Sequence, residues 1–251
     1  MEYTQAHLEK CFPIQSQTSL SDKAFILNAM ALINQPGDDY SYVEIGSYLG
    51  GSLTPFLTDT HCKLVLSIDE RERQQEDERG AKFDYVGITH KTMIDNLNAH
   101  GINTEKLQTF DGSIDAIKTP DNAFDLAFID GEHTDVACFR DFLWVLPMMK
   151  PDAIIMLHDS TLIYKAIRLI QLYLRKLGLQ FNFFKKAGSE MSGIFLGKFA
   201  KIDIPAVFGT EENPDDFYVA AETAIINHLI ANRVVIQFNA TVIPPKTIRA
   251  Q

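Results

Sequence analysis

Cysteine is scarce in this 251-residue sequence: Cys11, Cys62 and Cys138 are neither an even set nor in CxxC spacing. A disulfide framework is therefore not expected, and the thiols read as reduced and mostly buried in a cytosolic protein. No apolar stretch approaches the roughly 18–20 residues a membrane span needs. The N-terminus lacks a basic flank followed by an apolar run, so no signal peptide is expected. Positive charge is also short. Lys and Arg number 23 against 33 Asp and Glu, giving a net charge of −10 and a pI near 5.1. That balance argues against general nucleic-acid binding, which favours a basic surface, while leaving a local basic groove open. A soluble, cytoplasmic protein is expected.

What is present is ordinary globular material. Apolar residues make up 46%, and the length suits one large domain or two small ones with a substantial core. Residues 42–45 read as a buried strand running into a glycine-rich turn with Gly46, Gly50 and Gly51, after which Ser52-Leu53-Thr54-Pro55 begins a helix. Glycine lets backbone approach a ligand closely, and the helix start offers unpaired N–H groups to an anion. Further strands are expected at 63–69, 107–110, 124–130 and 153–157. Helices are expected from 89 to 100, from the Thr134 cap to about 149, and over 162–177. Before the turn, Ser21-Asp22-Lys23 can cap a helix with Ala24, Leu27 and Ala31 on one face, ended by Pro36-Gly37. After 177 come two strand-like runs, 179–184 and 191–197.

Strand and helix alternate along this stretch, which implies parallel strands, right-handed crossovers and helices on both faces. In such sheets a ligand lies beyond the C-terminal strand ends at the topological switch point. The polar clusters at 46–52, 69, 111–113, 130–133 and 158–160 all follow strands. Asp69 is placed to accept hydrogen bonds from ribose hydroxyls. The competing reading makes it the start of the charged loop 70–79, expected to be solvated and mobile.

Together, Glu44-x-Gly46-x-x-x-Gly50, Asp69, Asp111-Gly112-Ser113 and Asp130 resemble class I S-adenosylmethionine-dependent methyltransferases. Residues 128–133 with Leu157-His158-Asp159 look like the small-molecule O-methyltransferase branch (methyltransferase family 24 type), related to catechol-type enzymes. The resemblance covers about 40–198. It implies a doubly wound, mostly parallel Rossmann-like α/β sheet with a terminal antiparallel strand. The chain is therefore expected to divide into a helical segment at 1–39, a cofactor-binding domain at 40–198 and, outside the resemblance, a C-terminal extension at 199–251 packed on the same domain.

Carried over by residue, the resemblance puts Gly46, Ser47 and Tyr48 against the cofactor's methionine part and gives Ser52 its carboxylate. Asp69 takes the ribose, Gly112 and Ser113 edge the adenine, and Glu44 braces the turn near the ammonium. The alternative for Glu44 is a loop-capping carboxylate. Relatives hold a divalent metal at these strand ends, so Asp130, Asp159 and Ser160 are candidate ligands for a cation such as Mg²⁺, with Ser160 where those relatives carry asparagine. Such a metal would lower the pKa of a substrate hydroxyl. His158 could add a nitrogen ligand, or could instead pair with Asp159 and cap the next helix. His133 stands where relatives place a lysine base, so His133 with Asp130 forms the candidate catalytic pair. Its alternative is a helix-start histidine interacting with Asp130 or Glu132.

The expected activity is methyl transfer from S-adenosylmethionine to a small molecule, at a hydroxyl oxygen, with a homodimer left open and neither nucleic acid nor membrane as partner. A catalytically silent cofactor-binding module is the first alternative. An NAD-dependent oxidoreductase is disfavoured because Gly-x-x-x-Gly-Gly lacks the G-x-G-x-x-G spacing. In the extension, 216–231 reads as a helix burying Ala220, Ala224, Ile225 and Leu229, and 234–238 and 241–243 read as strands.

Overall fold

The computed structural model describes residues 3–34, 38–118 and 121–239, the last nine of these by backbone alone. Strands β1 (Tyr40–Ile45), β2 (Cys62–Asp69), β5 (Leu107–Asp111), β6 (Phe124–Ile129), β7 (Met149–Leu157), β8 (Phe181–Lys185) and β9 (Ser192–Leu196) form one seven-stranded sheet in the order β5-β2-β1-β6-β7-β9-β8. β1 pairs in parallel with β2 and β6, β2 with β5, and β6 with β7, whereas β9 runs antiparallel to both β7 and β8. The order reverses between β1 and β6, so the crevice at the C-terminal ends of these two strands is the switch point. β6 and the second half of β7 (residues 153–157) are nearly continuous buried apolar runs because helices cover both faces. β1 shows the alternation: Tyr40, Tyr42 and Glu44 point to one side, Val43 and Ile45 to the other.

One face is covered by α1 (Gln5–Cys11), α2 (Leu20–Ile33), α3 (Thr54–Thr58), α4 (His90–Ala99) and α7 (Ile204–Phe208). The other is covered by α5 (Asp135–Met148), α6 (Tyr164–Lys176) and α8 (Pro214–Asn239). Capping matches the chemistry of each start. Thr134 caps α5 through the Ala137 amide, and Thr89 caps α4 through Thr92. α4 buries Met93 and Leu97, one turn apart. Among the described residues no helix is long and apolar enough to cross a membrane.

Several expectations change. The α2 cap is Ser19, not Ser21, and its capping box closes on Asp22 three residues on. Residues 70–79 are not a plain solvated loop: β3 (Gln74–Glu76) pairs with β4 (Lys82–Asp84) in an antiparallel hairpin. The Arg71 side chain there is only 5% exposed, held by Asp69 and Asp111. α8 continues through 234–238, which are helical rather than a strand. Its buried stripe is Phe217, Ala221 and Ile225, spaced four apart, while Ala220 and Ala224 face solvent. A large ring at 217 sets the phase of that stripe, which alanines cannot do. Residues 36–37 and 241–243 lie outside the described residues.

Candidate active site

The cleft sits where the strand order predicts, above the C-terminal ends of β1, β2, β5 and β6, with about 860 Å³ of free space counting its open mouth. Gly46, at φ +86°, makes the turn out of β1. A Cβ there would lie 1.9 Å from the Asp130 carbonyl oxygen, so only glycine lets β1 and β6 end side by side. Gly51 performs a second close approach, since a Cβ on it would meet the carbonyls of Ile14 and Gln15 at 2.9 Å. That contact lays residues 16–18 along the cleft wall.

Glu44 is fully buried behind the turn. Its carboxylate accepts from the Tyr42 hydroxyl and from Ser52 Oγ at 2.5 Å. Burial pushes its carboxyl up to about 8 against those hydrogen bonds. The Ser52 hydroxyl is thus engaged with the Glu44 carboxyl, and the serine expected to bind a cofactor carboxylate works first as the brace of the turn. Ser47 Oγ is likewise engaged, at 2.7 Å from Ser67 Oγ. Asp69 Oδ2 accepts from the Tyr48 amide at 2.9 Å and lies 3.3 Å from Arg71. Burial raises its pKa, with Arg71 and the backbone amides working against it. Asp69, Gly112 and Ser113 all line the cleft.

At the far end Asp130, His133 and Asp159 meet, and one ligand atom from each lies within 4.8 Å of the others. His133 Nε2 is 3.1 Å from Asp159 Oδ2 and 3.7 Å from Asp130 Oδ1. His158 Nδ1 stands 3.0 Å from Asp130 Oδ1 and 3.2 Å from Asp159 Oδ2. Burial alone would raise the Asp130 carboxyl, but His158 and His133 hold it below its ordinary value. Burial likewise works to lower His133, and the acids Asp130 and Asp159 outweigh it, leaving the imidazole a stronger base than usual.

The donor set of two carboxylates and imidazole nitrogen fits a divalent cation, and its nitrogen favours a transition metal over an all-oxygen Mg²⁺ site. Ser160 does not join this set. Asp159 is left-handed at φ +49°, the chain turns there, and the Ser160 hydroxyl contacts the Glu190 carbonyl at 2.8 Å and Ser192 Oγ at 2.9 Å. His158 does pair with Asp159 but does not cap α6; the first turn of that helix is served instead by Asp135 of α5, whose carboxylate accepts from the Ala166 amide at 2.7 Å.

Sequence reading missed the opposite wall. Arg73, Gln75 and Tyr85 from the hairpin and Gln17 from the N-terminal segment line the cleft, and Tyr85 and Gln17 are joined by a 3.3 Å hydrogen bond. Asp141 also lines it, from the buried stripe of α5 that runs through Ala137, Cys138, Phe142 and Val145. An acid inside an apolar helical stripe was the available signal. Burial pushes its carboxyl up to about 6 against the pull of Arg140.

Residues 43–160 match a family model described as "Methyltransferase domain". An uncharacterised protein of Acanthamoeba polyphaga mimivirus is 30% identical over 106 residues, 42% of this chain. The matched stretch spans 44% of that relative's own length. Among solved structures, a protein from Corynebacterium glutamicum superposes with a TM-score of 0.55 at 12% identity, over 78% of this chain and 92% of its own. The O-methyltransferase NovP superposes with a TM-score of 0.56 at 10% identity, over 73% and 84%. At these identities the structural likeness is one of fold.

Proposed function

We propose that this chain, whose residues 43–160 match a methyltransferase-domain model on a Rossmann-like fold, transfers the methyl group of S-adenosylmethionine to a hydroxyl oxygen of a small molecule. The observation that carries this reading is the convergence on one cleft of the Gly46 turn, Asp69, Gly112-Ser113, Asp130 and His133, with Asp159 meeting the last two.

In this reading the 46–48 turn lies against the methionine part, with Glu44 and Ser52 holding the turn from behind. Asp69 takes the ribose diol, and Gly112 and Ser113 border the adenine. Transfer breaks the carbon–sulfur bond, whose electron pair stays on sulfur as a neutral thioether, while the acceptor oxygen forms the new bond to carbon. The sulfonium is already activated, so the protein's task is alignment and removal of the acceptor proton. His133 Nε2, made more basic by its acidic neighbours, receives that proton.

Asp130, Asp159 and His133 would also hold a divalent cation, which when bound would supply a lowered pKa at the acceptor hydroxyl. The two versions differ in the task of His133, base in one and ligand in the other.

Calorimetry with S-adenosylmethionine, S-adenosylhomocysteine and NAD comes first. Binding of the first two without NAD is expected, and NAD binding alone would overturn the assignment. Label transfer from methyl-labelled cofactor to hydroxyl acceptors follows, with and without chelator. Cofactor binding with no transfer across the panel would favour a silent binding module. Chelator-sensitive transfer restored by added cation assigns His133 as ligand, and chelator-resistant transfer assigns it as base.

A further inference from the structure

Asp22 belongs to α2, outside the 43–160 match, and its side chain is 4% exposed. Every side of it is used. Oδ1 accepts from Ser189 Oγ at 2.6 Å and from the Glu190 amide at 3.2 Å. Oδ2 accepts from the Ser19 amide at 2.8 Å and faces His158 Nε2 at 3.5 Å. Burial would raise this carboxyl, but hydrogen bonds from His158, Ser189 and Ser19 hold it well below the usual range. The opposite nitrogen of the same imidazole, Nδ1, faces Asp130 and Asp159 at 3.0 and 3.2 Å. Phe128 packs edge-on against the ring.

An imidazole presents its two nitrogens in different directions, so a carboxylate that takes one N–H fixes the ring's orientation. Carboxylate–histidine pairs behind reactive or metal-binding groups act in this way. A flip of the His158 ring would put carbon where Asp22 and Asp130 now find nitrogen. Ser189 and Glu190, from the β8–β9 turn, hold the Asp22 carboxylate in place.

We propose that Asp22 is a positioning residue of the methyl-transfer site. It accepts the Nε2 proton of His158 and thereby turns Nδ1 into the crevice between Asp130 and Asp159. Whichever cation neutralises those two acids, the orientation of the ring between them comes from α2. The assignment of a role in methyl transfer rests on the function proposed above, whereas the contact itself does not.

The test is long-range nitrogen–proton NMR on the full chain labelled with ¹⁵N, with His158 assigned from a His158→Gln spectrum. In the wild-type protein Nε2 is expected to carry a proton protected from solvent exchange. An Nε2 without a proton, or one exchanging as freely as an exposed histidine, overturns the proposal without any variant at Asp22. In Asp22→Asn the His158 ring signals should shift. In Ser189→Ala, which removes a different hydrogen bond from Asp22, they should stay in place. Equal displacement in both variants would make Asp22 a purely structural residue. Calorimetry with S-adenosylhomocysteine on the wild-type protein reports separately on the methyltransferase reading, since the Nε2 proton is read in its absence as well.

Discussion

Glu44 and Asp69 show how burial is used differently on neighbouring strands. Glu44, pushed up to about 8 by burial against its two hydroxyl donors, keeps its proton in the folded chain at pH values where the unfolded chain, titrating near 4.5, has lost it. The unfolded state then binds fewer protons, so this group's contribution to stability falls as pH rises between about 4.5 and 8. The thermal midpoint should drop across that window in the wild-type protein and drop less in Glu44→Gln, whose side chain is neutral throughout. An identical slope in both proteins would mean Glu44 is ionised when folded. Asp69 is instead held by the Tyr48 amide and Arg71 in the wall of the cleft, where the proposed function gives it the ribose. Asp69→Ala should weaken S-adenosylhomocysteine binding by about 1–3 kcal/mol, the range for a charged hydrogen bond left unmade. Unchanged affinity with an intact fold would remove Asp69 from the cofactor site. Gly46→Ala is harsher, because its Cβ meets backbone rather than a movable side chain. The left-handed geometry alone adds about 1–3 kcal/mol, and circular dichroism melts should show a loss at least that large.

At the scale of elements, the β3–β4 hairpin is the feature whose order depends most on its neighbours. A two-stranded ribbon is marginal in water by itself. This one is tied to the loop that carries His133. Glu78 accepts from the Asp135 amide at 2.6 Å, the Glu78 amide donates to the His133 carbonyl at 3.1 Å, and Arg73 pairs with Glu132 at 2.9 Å. Phe83 adds an edge-on contact with the His133 ring. Amides of Gln74–Glu76 should therefore exchange faster than those of Phe124–Ile129, which lie in the centre of the sheet. Glu78→Ala should speed exchange in the hairpin while leaving β6 unchanged. Equal protection of hairpin and β6 in the wild-type chain would show that the hairpin opens only with the whole domain.

The whole molecule is held by cores on both faces of one sheet, and the segments flanking the matched stretch enter both. Phe208 of α7 packs on Phe25 of α2, with ring centroids 4.5 Å apart, and on Phe184 and Phe195 of the terminal strands. Phe217 and Ile225 of α8 are buried against the opposite face. Burying these three side chains is worth roughly 5–9 kcal/mol, comparable with the whole net stability of a domain, about 5–15 kcal/mol. A chain ended after residue 198 should thus melt far lower or fail to fold cooperatively. A truncated protein with the full chain's midpoint would show that α7 and α8 are dispensable appendages.

The sequence by itself determined the alternation of strand and helix, the glycine turn after β1 and the acids at the strand ends. These are local properties. Side-chain period reports which face of an element is buried, and Gly46, Thr89 and Thr134 mark turns and caps within a few residues of themselves. From alternation alone the crossover rule then places Asp69 and Asp130 at one edge of the sheet. Only the tertiary structure decided that Ser160 turns away toward Ser192, that Ser52 serves Glu44, and that residues 70–84 form a wall of the cleft. The Asp22–His158 contact joins residues 136 apart in sequence. Such pairs leave no periodic trace, because their geometry depends on how α2 docks on β6 and β7 and on where the β8–β9 turn falls. The C-terminal helix shows the same limit at its own scale. Its alanines fit either side of a helical wheel, and the buried ring of Phe217, beneath the Lys185 ammonium of β8, set the face that packs on the core.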